Sequence, residues 1–381
     1  MPTTPGIQHY DVIIIGAGPA GCACAMALRD SGLRLAIMDK HHFPRDKVCG
    51  DAIPGLAIKV LHQIDPQFAE RLAAFSEKLP TKRTVCYYNN KMINFSWSLE
   101  AYTATRECFD NFLFSGIRNH PDIHALEGIA VNDIISNPEG YTVITKDNQQ
   151  YQCTLLIGAD GINGVTARKL ALREMDRKHH VAGVRAYYNG VSGMDDTCTE
   201  IYFDRKYLPG YFWVFPIKGG AVNAGMGILS DEVAKKKINV KDAFHNFIER
   251  SAILKEKFRD AQPLGAMQGC GLPIGSRWVV MSGDHFLLAG DAASLIDPMS
   301  GDGIGNAILS AKLAAEQAIQ CFAAGSFRAA FMKNYEQQLY KAVGADMKRK
   351  AGALKMLARM PFFFDIAFAI GKNRIVKKFI K

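Results

Sequence analysis

Gly16, Gly18 and Gly21 stand between two contrasting runs of sequence. Asp11 to Ile15 is short, apolar and rich in β-branched residues, and Cys22 to Leu28 is rich in alanine. That order reads as strand, tight turn and helix. In such a turn the first glycine supplies the backbone dihedrals and the second lets the main chain approach a pyrophosphate. The third allows helix and strand to pack closely. Pro19, with Ala20 after it, suits the first helical turn. The exposed amides and the positive end of the helix dipole favour a doubly charged pyrophosphate. A second strand, Leu33 to Met38, ends at Asp39 and Lys40, about where an acid accepts hydrogen bonds from an adenosine ribose. Taken alone, this site suits FAD or NAD(P), because a ribose-binding acid serves both.

Two later stretches decide between them. Leu155 to Asp160 reads as a buried strand leading into Asp160-Gly161. Phe286 to Ala289 leads into Gly290-Asp291, then the loop Pro298 to Ile304 with Gly301, Asp302 and Gly303, and an alanine-rich helix to about Ala324. An acid at a strand terminus can hydrogen-bond a polyol such as the ribityl chain of a flavin. A glycine-rich loop entering a helix N terminus can stabilise negative charge on a reduced isoalloxazine ring. Three sites at this spacing fit an extended FAD.

With these motifs the chain resembles the geranylgeranyl reductase family of FAD-dependent oxidoreductases, which has the p-hydroxybenzoate-hydroxylase-like fold. The resemblance covers most of the chain. It rests on the first glycine turn, Pro44-Arg45-Asp46-Lys47-Val48-Cys49-Gly50-Asp51, Arg106 before Phe109-Asp110, Asp160-Gly161, Tyr211-Phe212-Trp213-Val214-Phe215-Pro216, and Gly290-Asp291 with its Pro298 to Gly303 loop. It implies flavin contacts near Lys47, Val48, Cys49, Gly50 and Arg106, a ribityl contact at Asp291, and ring contacts from Gly301 to Ile304. It also places Tyr211, Trp213, Phe215 and Pro216 on the wall of a long apolar pocket. Two departures stand out: Asp39 where many relatives place Glu, and Gly164 where many place Ser.

The fold expected is α/β: a Rossmann-type FAD-binding domain interleaved with an antiparallel β-sheet substrate domain, plus C-terminal helices. Residues 1–80, 100–180 and 272–330 form the discontinuous FAD-binding domain. Residues 81–99 and 181–271 form the substrate domain, whose aromatic strands alternate in the manner of an antiparallel sheet, with a helix from Lys241 to Phe258 on its outer face. Residues 331–381 form a helical region with a basic tail.

Cys49 lies in the segment expected beside the isoalloxazine, where a nearby cation such as Lys47 would favour a thiolate. It is the candidate catalytic acid for protonating a substrate carbon, with bound water as the competitor. Cys22 and Cys24, on the first helix, read as small buried hydrophobes. His41-His42 and His179-His180 lack metal-ligand spacing with the cysteines, so no metal is expected. There is no P-loop and no GxSxG elbow, which argues against nucleotide hydrolysis and esterase chemistry.

The chain of 381 residues, 48% hydrophobic and 22% charged, has enough apolar matter for a sizeable core and is not a disordered, collagenous or coiled-coil sequence. Nine cysteines, an odd number without clustering, point to a reducing, cytoplasmic setting. No window reaches the roughly 18 apolar residues of a spanning helix, and Met1 to Tyr10 lacks a secretory pattern. The net charge of +9 is concentrated at the end: Ala345 to Lys381 holds ten Lys or Arg against Asp346 and Asp365. A nearly neutral body argues against a nucleic-acid partner. Phe362, Phe363, Phe364, Ile366, Phe368 and Ile370, followed by Lys372, Arg374, Lys377, Lys378 and Lys381, suit either packing on the fold or peripheral docking on the inner membrane surface. The oligomeric state is not legible.

The expected function is reduction of carbon–carbon double bonds in an isoprenoid or other long apolar substrate. Hydride would come from reduced flavin N5, with NAD(P)H or another reductant as electron donor, since no second Rossmann turn is found. The same scaffold also hosts monooxygenases and halogenases acting on aromatic or polyketide-like substrates. Against a halogenase, the stretch Tyr211 to Pro216 does not form a Trp-x-Trp-x-Ile-Pro segment.

Overall fold

The computed structural model describes residues 7–89, 91–360 and 362–370. Its first sheet has eight strands. Six run in the order Ser282–Gly283, Phe286–Leu288, Gln150–Gly158, Gln8–Ile15, Leu35–Asp39 and Ile123–Glu127, and the hairpin Val131–Asn137/Gly140–Thr145 attaches to Gln150–Gly158. The central pairs are parallel. These strands are continuous apolar runs because both faces are covered. Val12, Ile13, Ile14, Leu155, Leu156 and Ile157 are all fully buried. On one face the helices Pro19–Leu28 and Ile304–Ala324 pack closely, their contact built from small residues such as Ala23, Ala311 and Ala314.

The second sheet has nine strands. It runs Gln262–Pro263, His180–Asn189, Val222–Leu229, Tyr211–Pro216, Cys198–Phe203, Leu79–Tyr88, Lys91–Thr103 and Ala52–Ile53, with Gln268–Pro273 also on His180–Asn189. One pair departs from the antiparallel expectation. Cys198–Phe203 and Leu79–Tyr88 pair in parallel, because they come from segments far apart in the chain and no hairpin dictates their direction. The sheet also takes in the short strand Ala52–Ile53, and Lys91–Thr103 extends past residue 99.

Alternation along the strand Tyr211–Pro216 sorts its side chains by face. Phe212 and Val214 point outward into a core with Phe244 and Phe247 from the helix Val240–Arg250. Tyr211, Trp213 and Phe215 point inward to a cavity between the sheets. Trp213 fits there because its cross-strand neighbour is Gly225, where a Cβ would lie 2.0 Å from the indole.

After Ile304–Ala324 the chain returns through Ala329–Leu339, a π-helical turn Tyr340–Gly344, and the helix Ala345–Arg359. Lys350 of the helix Ala345–Arg359 is buried and pairs with Asp297 at 2.6 Å and Asp346 at 2.9 Å. Phe364 and Phe368, in the terminal helix Phe362–Ile370, pack against Tyr88 and Phe203 of the second sheet. Part of the apolar stretch therefore serves the fold, while Phe362 and Ile366 are exposed. Lys372, Arg374, Lys377, Lys378 and Lys381 lie outside the described residues. No helix among the described residues is long and apolar enough to cross a membrane.

Replacing Lys350 by Met strands Asp297 as a buried charge, and breaking such a pair is expected to cost about 3 kcal/mol. Urea unfolding should show a clearly lower midpoint, and an unchanged midpoint would mean that the pair does not hold the helix Ala345–Arg359.

Candidate functional site

Parallel register sets the level at which the motifs emerge. Ile15 pairs with Gly158, and Gly158 with Leu288. The amide of Ala159 donates to the Ile15 carbonyl and that of Ala289 to the Gly158 carbonyl, both at 2.8 Å. Gly16, Asp160 and Gly290-Asp291 therefore leave three adjacent strands at one edge of the sheet, the carboxyl edge where open α/β sheets bind ligands. They open on a cavity of about 1270 Å³.

The three turn glycines have different reasons to be glycine. Gly16 has φ +99°, and a Cβ there would lie 2.4 Å from the Ala159 carbonyl oxygen. A Cβ on Gly21 would lie 1.7 Å from the Gly16 carbonyl oxygen, so helix and turn could not close. At Gly18 the nearest atom to such a Cβ is an Arg45 guanidinium nitrogen at 3.6 Å, and the backbone faces the cavity. The following helix carries no side-chain cap, which leaves its first amides available to an anion. Pro19, Ala20 and Lys40 line the cavity with them. Asp39 braces the turn by accepting the amides of Ala17 at 2.8 Å and His41 at 2.9 Å.

Asp160 differs from expectation. Its carboxylate turns onto Thr166, accepting the amide at 3.0 Å and the hydroxyl, rather than facing a polyol. Gly164 accounts for this, since a Cβ there would lie 2.0 Å from the Asp160 carboxyl carbon. Asp160 and Gly161 still contribute to the cavity wall. On the neighbouring strand end, Asp291 meets Lys47 at 3.1 Å. In the ring-side loop Asp297 accepts the amides of Met299 and Ser300, both at 2.9 Å. Pro298, Gly301, Asp302, Gly303 and Ile304 line the cavity. Burial, reinforced by the charge of Asp297, pushes the Asp302 carboxyl up to about 7, against the opposing pull of the Ile304 and Gly305 amides.

Arg106 is buried and forms a fork with Asp110, at 2.7 and 2.6 Å, while Arg45 adds a third contact to Asp110 at 2.7 Å. Burial opposes both charges, but the pairing outweighs it: Arg106 is held protonated and Asp110 is held below the usual carboxylate range. Val48, Cys49 and Gly50 form the adjoining wall, with Gly50 against Phe215 and Trp213. The thiolate expected at Cys49 is overturned. Burial pushes the thiol up, outweighing the pull of the Arg106 charge, so Cys49 is a neutral thiol. Lys47 is engaged by Asp291 instead.

On the facing sheet the Tyr211 hydroxyl donates to the Ser300 carbonyl at 2.5 Å, fastening the aromatic strand to the ring-side loop. Pro216 stands apart from Tyr211, Trp213 and Phe215. It is buried at the strand end, and its carbonyl accepts the Thr103 hydroxyl rather than lining the cavity. Beyond Trp213 the cavity continues past Ile201 and Thr199, Thr84, and Trp97 with Leu99, none of them charged. These residues sit on the next three strands, so the extension spans about 14 Å at ordinary interstrand spacing.

Sequence reasoning gave no role to Asn223, whose amide donates to the Cys49 carbonyl and to Asp51, both at 2.8 Å, while its oxygen accepts the Trp213 indole N–H at 2.9 Å. The available signal was a lone polar side chain in the otherwise apolar run Val222 to Leu229. His179 and His180 bond to Ser276 and Ser230.

Comparison with known proteins gives a consistent result. Residues 9–349 match the family described as FAD binding domain. A digeranylgeranylglycerophospholipid reductase from Methanosarcina mazei is 26% identical over 89% of this chain and 83% of its own length. A geranylgeranyl bacteriochlorophyll reductase-like protein from Thermoplasma acidophilum shares the fold with a TM-score of 0.80 at 22% identity, covering 93% of this chain and 88% of that one. A flavin-dependent brominase shares it with a TM-score of 0.79 at 24% identity, covering 95% and 90%. The open backbone at Gly18, the uncapped helix beside it and the size of the cavity fit FAD.

The glycine geometry separates binding from folding. Gly18→Ala should fold with near-normal thermal stability yet retain much less FAD, read as flavin absorbance per protein, because its methyl group faces the cavity and little else. Gly21→Ala should lose both. Equal FAD retention by Gly18→Ala and the parent would remove the pyrophosphate from this turn.

Proposed function

The chain belongs to the FAD-binding-domain family and is an FAD-dependent oxidoreductase; on that premise we propose that it reduces carbon–carbon double bonds of an isoprenoid or other long apolar substrate. The observation that carries this reading is the uncharged extension of the cavity from Trp213 across three further strands to Trp97 and Leu99. A chain of alkene units needs a long, apolar channel, and an aromatic ring does not. When bound, FAD supplies a hydride at N5 of its reduced ring. NAD(P)H or another reductant is the electron donor in this reading.

The protein's part is position and a proton. Trp213 and Phe215 hold the alkene against the ring-side loop, where hydride transfer requires an approach of about 3 to 3.5 Å. Cys49, a neutral thiol in the cavity wall, delivers a proton to the second alkene carbon. The name of the Methanosarcina mazei relative supports a lipid of this class. The basic tail belongs to the same proposal: each Lys or Arg near an anionic leaflet contributes about 1 kcal/mol, enough in combination for reversible contact with the inner membrane surface.

The likeness to a brominase keeps a second chemistry on the same fold in view: oxygenation or halogenation of an aromatic or polyketide-like substrate. Mass spectrometry separates the two. Isoprenoid lipid incubated with the chemically reduced, FAD-loaded protein should gain two hydrogens per reduced double bond. Product carrying oxygen or halogen would overturn the reductase reading. Cys49→Ala, still holding FAD, should slow substrate reduction by about 10²-fold or more while flavin reduction proceeds normally. Equal substrate turnover would take Cys49 out of the mechanism.

A further inference from the structure

The helix Ala345–Arg359 is two-sided. Its inner side faces the cavity with Met347, Lys350 and Leu354, all buried. Its outer side is the stripe Ala345, Lys348, Gly352, Lys355 and Arg359, all exposed. They are spaced three or four residues apart, the repeat that keeps side chains on one face of a helix. The stripe carries cations and no acid. Asp346, the one acid of this helix, is drawn to Lys350 at 2.9 Å and to Arg349. At Gly352 a Cβ would meet nothing. Glycine weakens a helix interior relative to alanine, so packing within the fold gives no reason for it.

Exposed apolar side chains adjoin the start of this helix. Tyr340, half exposed, opens the π-helical turn before it and meets Trp278 edge-on at 5.1 Å. Trp278 is exposed in its turn and lines an open groove with Leu172, Met175 and Val280, which are exposed as well. Leu172 is 83% exposed. Arg177, Lys178 and Arg277 line the same groove with Glu174, Asp176 and Asp231. Two of those acids are already paired, Asp176 with Arg277 at 3.1 Å and Asp231 with Lys235 at 2.5 Å. An exposed cluster of this kind marks an interaction surface. It also adjoins an opening: Ala342, exposed in the π-helical turn, lines the flavin-side cavity together with Val343.

We propose that the outer face of the helix Ala345–Arg359, with Tyr340, Trp278 and the apolar groove beside it, docks the protein on an anionic membrane surface and holds the opening at Ala342 against the lipid. The choice of partner follows from the mixture. Cations alone would suit any acidic surface, but Leu172, Met175 and Val280 need an apolar layer close to the charge. A bilayer offers both in one plane: phosphate groups for Lys348, Lys355 and Arg359, and acyl chains just beneath for the apolar side chains. Tryptophan and tyrosine settle at the boundary between the two. These residues belong to the described fold and act apart from the tail Lys372 to Lys381. The docking face stands on its own geometry, and its use for substrate entry rests on the reading of a lipid substrate.

The test is sedimentation of the FAD-loaded full chain with vesicles of phosphatidylcholine and phosphatidylglycerol, against vesicles of phosphatidylcholine alone. The parent should bind the anionic vesicles, and Lys348→Glu/Lys355→Glu should bind them about tenfold or more weakly while keeping its FAD and thermal midpoint. Lys82→Glu/Lys241→Glu makes the same change of net charge at exposed positions elsewhere and should bind like the parent. Tryptophan emission should shift to the blue on binding, and the shift should vanish in Trp278→Phe. Equal binding by the helix variant and the parent would overturn the inference, as would an equal loss in both double variants, which net charge alone explains. A parent that ignores anionic vesicles would overturn it too, and leave the face to an acidic protein. If only the helix variant loses the vesicles but the parent reduces no isoprenoid lipid within them, the docking face stands and the reductase reading falls. If parent and helix variant bind and reduce vesicle-borne lipid equally, the reverse holds.

Discussion

Ile15, Gly158 and Leu288 stand side by side because Gln8–Ile15, Gln150–Gly158 and Phe286–Leu288 are hydrogen-bonded in parallel register. A slip of one residue in either pairing would carry Gly16, Asp160 or Gly290 off the common edge and turn buried side chains to the wrong face. Register is held by apolar matching on both faces. It is also held by the first glycine turn, where Gly16 approaches the Ala159 carbonyl more closely than any side chain would permit. Every contact attributed to FAD depends on that alignment, since residues from far-apart parts of the chain must present backbone and side chains at one level.

Against this edge lies a dense set of buried charges. Asp110 sits between Arg45 and Arg106, the Arg106 charge pulls on the Cys49 thiol, and Asp51 is buried under Tyr187 and Asn223. Buried ions are costly unless paired: Arg106 pairs with Asp110 on its own helix, Asp110 also with Arg45, and Arg185 with Asp46. The set joins the helix Arg106–Ser115, the segment Pro44 to Asp51 and the strands of the second sheet. Within this lattice burial keeps the Cys49 thiol neutral in the cavity wall, against the pull of Arg106. Lys350 plays a similar part, tying the helix Ala345–Arg359 to the ring-side loop through Asp297.

The second sheet turns one strand to two purposes. Phe212 and Val214 make its outer core, and Tyr211, Trp213 and Phe215 make the inner wall. Tyr211 then bonds across to Ser300, so the distance between wall and loop is set by a hydrogen bond as well as by packing. The terminal helix closes over the same sheet through Phe364 and Phe368.

Local pattern was enough for much of this. The glycine spacing, the alternation of Tyr211 to Phe215, the acids at strand ends and the alanine-rich helix to Ala324 each carry a signal within a few residues, because turn dihedrals and side-chain periodicity are local properties. Contacts between distant segments are not. The turning of Asp160 onto Thr166, the neutrality of Cys49, the parallel pairing of Cys198–Phe203 with Leu79–Tyr88 and the burial of Asp51 under Tyr187 and Asn223 follow from which segments meet. The sequence by itself determined the class of fold and the kind of cofactor. Tertiary structure decided the charge state of the reactive groups, because a side chain's pKa reports its depth and its neighbours, and neither is written in residue order.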